Sequence, residues 1–174
     1  MTVREQEEYS ALRATIRERG TTRVWIFVIG LIGWAALTVV TAALASPPVA
    51  VLLPLLILAV TFEAVFALHV GVERIGRYLQ VFYEADASGW EHAAMSFGRP
   101  AGAIATDALF AIPFLTAALF NLAPILVANP VPVEWVFVGG AHALFVLRVI
   151  VARAAAARQR AIDLARFQEL KRSR

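Results

Sequence analysis

Four apolar runs of about twenty residues each, near positions 24–45, 49–69, 107–128 and 133–152, constrain this chain more than any motif in it. A helix rises 1.5 Å per residue, so each run can cross the roughly 30 Å hydrocarbon layer of a bilayer. Lipid offers no water to backbone donors and acceptors, and helices satisfy them internally. The expected fold is therefore all-α: a polytopic membrane protein built on a four-transmembrane-helix bundle. Composition agrees, because 60% hydrophobic residues and a mean hydropathy of +0.70 exceed the roughly 45–50% apolar content of soluble domains. The absence of cysteine removes disulfides and thiol chemistry from consideration.

All sixteen Lys and Arg residues fall on one side of such a chain. Arg4, Arg13, Arg17, Arg19 and Arg23 precede the first run; Arg74, Arg77 and Arg99 lie between the second and third; the rest, from Arg148 to Arg174, lie in or after the inner part of the fourth. Loops kept in the cytoplasm carry this excess, so both termini and the loop 84–106 are expected inside. The outer turns, Ser46-Pro47-Pro48 and Asn129-Pro130-Val131-Pro132, are Pro-rich reversals that leave little external surface. Ala43-Leu44-Ala45 looks like a leader cleavage site, yet 23 residues with four Glu precede the first apolar run, which favours a retained span. The expected location is a plasma membrane, and a bacterial inner membrane suits a compact, Arg-rich, Cys-free chain.

The cytoplasmic side holds the remaining residues. Thr2-Val3-Arg4-Glu5 has capping-box spacing, and Tyr9, Leu12 and Ile16 form an apolar stripe, so residues 1–21 are expected to form an amphipathic helix ending at Gly20. Its four Arg and four Glu balance, which favours packing on neighbouring helices over attraction to anionic lipid. Ser88-Gly89-Trp90-Glu91 repeats the cap pattern ahead of a short interfacial helix with Trp90, Ala94 and Phe97 on one face and Gly98 as its stop. The second and fourth runs meet no breaker at their inner ends and should continue as stems. Residues 158–174 then form a basic cytoplasmic helix whose Arg158, Asp163, Arg166 and Glu169 suit a solvated face. The positive-inside bias accounts for those basic residues without a nucleic-acid partner.

Ionisable groups within the spans are costly and are the first place to look for function. Glu63 and Arg148 both fall about 22 Å from their outer turns, so an ion pair between the second and fourth spans is expected; it is either a clasp that fixes helix register or, if Glu63 faces a water-filled cavity, a gate or a proton- or cation-binding carboxylate. At about 100° per residue, His69, Glu73, Arg74 and Arg77 continue a polar stripe below Glu63, wet from Arg74 onward. In the outer half, Asn121 and His142 come to similar depth and can bond across helices, with Gly139-Gly140 and Ala143 permitting close packing. Pro113 and Pro124 interrupt the third run, and Thr106-Asp107 reads as its N-cap.

Metal chemistry has weak candidates. His69 and Glu73 have the i,i+4 spacing of paired ligands, with Glu91 and His92 as further donors. His69 and His142 differ in depth by more than about 10 Å, which argues against a haem between them. With no phosphate loop, no HExxH pattern and no nucleophile beside a base, no cofactor is predicted.

The leading expectation is an oligomeric channel or small-solute transporter with its polar route along the second span, since four helices rarely enclose a wide path alone. The alternative is a membrane scaffold or regulatory subunit that binds a protein through its cytoplasmic helices. A metal-dependent membrane enzyme comes third. The expected partners are the lipid bilayer, further copies of the chain and a cytoplasmic protein.

Overall fold

The computed structural model describes residues 1–44, 47–84, 89–97 and 106–173, and of 95–97, 106–110 and 127 the backbone alone. Among these the chain is all-α. Helix α1 spans Val3–Ala43, α2 Leu52–Phe82 behind a 3₁₀ turn at Pro48–Val51, α3 Trp90–Phe97, α4 Thr106–Phe120, α5 Ala123–Ala128 and α6 Pro132–Arg172. The segments Val3–Ala43, Pro48–Phe82 and Pro132–Arg172 are each long and apolar enough to cross a membrane. Their outward apolar side chains, among them Val24, Trp25, Ile29, Leu56, Val60, Phe137 and Leu144, are exposed. A surface of this kind belongs in lipid; the chain is a membrane protein.

Helix α1 starts at the expected capping box: Thr2 N–H donates to Glu5 Oε2 at 2.6 Å and Glu5 N–H to Thr2 Oγ1 at 3.3 Å. It does not stop at Gly20. The helix runs unbroken through that residue into the apolar segment, so 41 residues form one rod. A glycine inside a helix costs only about 1 kcal/mol, and with no breaker after it the ladder simply continues. Helix α6 is a second rod of 41 residues, opened by Pro132 and by Glu134 accepting the Val131 N–H at 3.0 Å.

The third apolar run is not a single span-length helix. Pro113 is accommodated inside α4, but the ladder breaks at Asn121–Leu122, just ahead of Pro124. Pro124 lacks an N–H, and its ring crowds the carbonyl four residues back. Helix α5 then ends at Asn129, whose φ of 48° places it in the left-handed region that closes helices.

Helix α2 sits at the centre and packs against α1, α3, α4 and α6. Phe62 is the hub. Its ring meets Phe114 of α4 edge-on at 5.3 Å between centroids and Phe145 of α6 at 6.2 Å, while Phe27 of α1 meets Phe114 at 5.6 Å. Leu55, Leu58, Ala117, Ala118, Val149 and Ala152 fill the space around it. The buried positions of α6, Val138, His142, Phe145, Val149, Ala152 and Ala156, recur at steps of three and four, and Asp163 follows one heptad later, the seam of near-parallel helices. Helices α1 and α2 approach closely at Gly30, where an added Cβ would collide with Thr61 Oγ1 and Cγ2 and lie 2.8 Å from its Cβ.

The expected caps at Ser88 and at the Thr106-Asp107 side chains, the Phe97 side chain, the stop at Gly98, and Arg99 lie outside the described residues. Gly139 and Gly140 have nothing within 4 Å of where a Cβ would stand. The close packing expected there is not made among the described residues, because the seam of α6 passes through Val138 and His142 instead.

Candidate functional site

Three groups of polar side chains cross between helices. The outermost is built on Asn121, which is fully buried at the α4–α5 break. Its Nδ2 donates to the Val51 carbonyl at 2.9 Å and to His142 Nε2 at 3.0 Å. Its Oδ1 accepts from Trp34 Nε1 at 3.2 Å, with Thr38 Oγ1 at 3.4 Å. His142 Nδ1 lies 2.8 Å from the Val138 carbonyl. That oxygen can only accept, so the ring carries its hydrogen on Nδ1 and offers Nε2 to the amide. One asparagine thereby joins α1, the turn before α2, the α4 end and α6, and leaves no hydrogen-bonding atom of its amide open.

The second group is the pair midway along the apolar helices. Arg148 Nη2 donates to Glu63 Oε2 at 2.8 Å, Arg148 Nε lies 2.7 Å from Glu63 Oε1, and the guanidinium covers the Phe66 ring at 5.7 Å. The arrangement is bidentate. It faces outward: the two side chains are 46% and 47% exposed on the flank of the bundle, so neither lines an interior channel.

The third and largest group ties the inner ends of α1, α2 and α6. Arg23 of α1 donates through Nη1 to His69 Nδ1 at 2.9 Å, and His69 Nε2 lies 3.6 Å from Glu73 Oε1. Glu73 also accepts from Arg160 Nε at 3.0 Å, with Arg160 Nη2 2.8 Å from its other oxygen, and from Arg77 Nη1 at 3.4 Å. Arg77 Nη2 donates to Asp163 Oδ2 at 3.1 Å, Arg74 Nε to the same oxygen at 3.2 Å, and Gln159 Nε2 to Oδ1 at 2.8 Å. Burial favours the neutral acid at Asp163, but the donors Gln159, Arg74 and Arg77 outweigh it and hold the carboxyl below its usual range.

Two expectations fail here for one reason. Arg77, expected on a wet face, is 2% exposed, and Asp163, expected on a solvated face, is 8% exposed. The seam of α6 continues past the apolar run to Asp163 and meets α2 there, so the two charges neutralise each other inside. Arg74, at 54% exposure, does reach solvent.

Further along, Arg13 of α1 donates to Glu91 Oε1 at 2.6 Å and contacts Glu84 at 3.5 Å, while Glu84 Oε2 accepts the N–H groups of Glu91 and His92 at 2.9 and 3.4 Å. Glu84 thus caps α3 from the end of α2. Tyr9, Tyr78, Phe82, Tyr83 and Phe167 form an aromatic cluster between α1, α2 and α6, with Tyr78 donating to Glu8 at 2.8 Å. Burial and the Glu8 carboxylate push the Tyr83 hydroxyl up to about 12. Lys171 donates to the Val81 carbonyl at the C-terminal end of α2.

The proposed metal ligands do not assemble. No cluster of three or more His, Asp or Glu suited to a metal occurs among the described residues. His69 and Glu73 face Arg23, Arg77 and Arg160, whereas Glu91 and His92 face Arg13 and Glu84. The partners that sequence spacing missed, Arg23, Trp34, Arg160 and Asp163, sit on other helices. Only the seam of α6, read through to Asp163, carried a signal for one of them.

The groove beside His69, lined by Phe62, Phe66, Val149, Arg153 and Arg160, encloses about 20 Å³. That is roughly the space of one water. Below it, a polar cleft of about 430 Å³ opens between Gln80, Glu84, His92, Gln168 and Lys171. No family model matches the chain, and no curated protein or solved structure matches it either.

Proposed function

We propose that the protein is a four-span membrane scaffold or regulatory subunit, with both termini cytoplasmic, whose inner helical module holds a protein partner. The topology is read from the placement of all sixteen Lys and Arg residues, with α4 and α5 together forming the third, broken span. One observation carries the functional reading. The inner segments of α1, α2, α3 and α6 are locked together by ion pairs and aromatic contacts, yet the solvated end of α6 leaves Ile162 and Leu170 exposed, two turns apart on one stripe. Paired apolar side chains on a braced polar helix are the anchors of helix-to-partner docking.

The test is co-purification from native membranes in mild detergent. Wild-type protein retains a stoichiometric partner, Glu63→Gln retains it too, and Ile162→Glu with Leu170→Glu loses it while the protein stays folded. Absence of any stoichiometric partner, or its retention by the double variant, overturns the reading.

A second reading rests on the outward pair. Glu63 and Arg148 present charge at the flank of the apolar region, which a second copy would cover, and an oligomer joined there would carry a polar route for an ion or small solute along α2. Flux through proteoliposomes that Glu63→Gln abolishes supports this channel or transporter; no flux removes it.

A further inference from the structure

The groove between α2 and α6 has an order along its length. Phe62, Phe66 and His69 follow one another at i, i+4 and i+7 on α2; Val149, Arg153, Ala156 and Arg160 do so at i, i+4, i+7 and i+11 on α6, with Ala111 of α4 as the floor. Residues so spaced share one helix face, and eleven residues of α6 cover about 16 Å. The end toward mid-helix is apolar and aromatic. The end toward the module is cationic, at the level where the apolar runs finish.

Arg153 distinguishes this end from the clasp beside it. Arg23, Arg74, Arg77 and Arg160 are each engaged by His69, Glu73 or Asp163. Arg153 is exposed and has no hydrogen bond or ion pair among the described residues. A guanidinium placed at the foot of an apolar groove matches the phosphodiester of a lipid whose acyl chain lies against the half-buried Phe66 ring at the groove's rim. The enclosed space of about 20 Å³ is too small for a whole solute. The acyl chain therefore lies across the rim and not inside the groove.

We propose that this groove binds an anionic phospholipid of the leaflet facing the inner module, with Arg153 holding its phosphodiester. The site uses none of the residues assigned to partner docking, so it stands or falls separately.

The experiment is native mass spectrometry of the purified full chain with equal amounts of dioleoyl phosphatidylglycerol and dioleoyl phosphatidylcholine. Wild type retains the phosphatidylglycerol about fivefold better. Arg153→Gln brings the two within twofold of each other, Arg153→Lys keeps most of the preference, and Arg158→Gln, which removes an equal charge from an exposed position on the same helix, changes nothing. Inorganic phosphate at millimolar concentration does not displace the lipid. Equal retention of both lipids by wild type, an equal loss in Arg158→Gln, or displacement by phosphate overturns the proposal; the first and third outcomes are read on wild type and need no variant to fold.

Discussion

Asn121 spends both amide hydrogens and its carbonyl oxygen inside the protein, on Val51, His142 and Trp34. Asn121→Ala takes one donor from the buried Val51 carbonyl and leaves the His142 ring nitrogen and the Trp34 indole N–H without this partner, and unfolding in detergent should show a loss of about 1–3 kcal/mol. The Asp163 carboxyl is held below its usual range by Gln159, Arg74 and Arg77. A depressed carboxyl stabilises fully above its unfolded value, about pH 4, and loses that contribution as pH falls through the folded one. The Asp163 contribution, read as the difference in melting temperature between wild type and Asp163→Asn, should therefore be constant from neutrality to about pH 4 and fall below it. Asp163→Asn strands Arg77 without that counter-ion, should cost about 3–5 kcal/mol at neutral pH, and removes this source of acid sensitivity.

At the scale of elements, two glycines in α1 make the same substitution act in opposite directions. Gly20 has open space around it in the helix interior, so Gly20→Ala should stabilise by about 0.5–1 kcal/mol. Gly30 meets Thr61, so Gly30→Ala must push α1 off α2 and should cost about 1–3 kcal/mol; thermal melts of the two variants give the comparison. The same pair shows what sequence could tell. Long apolar runs and the Thr2-Glu5 box announced helices because length and local capping depend only on near neighbours. Gly20 was misleading as a stop because a cap requires the chain to turn away, and nothing after it does so. Matching depths anticipated the contacts of Glu63 with Arg148 and of Asn121 with His142. Which way Glu63 faces, and why Arg77 and Asp163 are buried, depend on the rotation of α2 and α6 about their axes, which tertiary packing sets.

For the whole molecule, topology and function are separable. This chain has no cysteine, so single replacements report sidedness cleanly: in right-side-out vesicles an impermeant thiol reagent should label Asn129→Cys and spare Ser10→Cys. The three polar groups each join helices, and the groove beside His69 encloses only about 20 Å³. The stripe below Glu63 is thus engaged in a clasp that fixes the inner module, not lined up along an open path. Flux of ions or small polar solutes through proteoliposomes of the purified chain tests this most directly. The clasp predicts flux no greater than in protein-free liposomes, for wild type and Glu63→Gln alike. Flux through the wild type that disappears in a Glu63→Gln protein of unchanged melting temperature would contradict it.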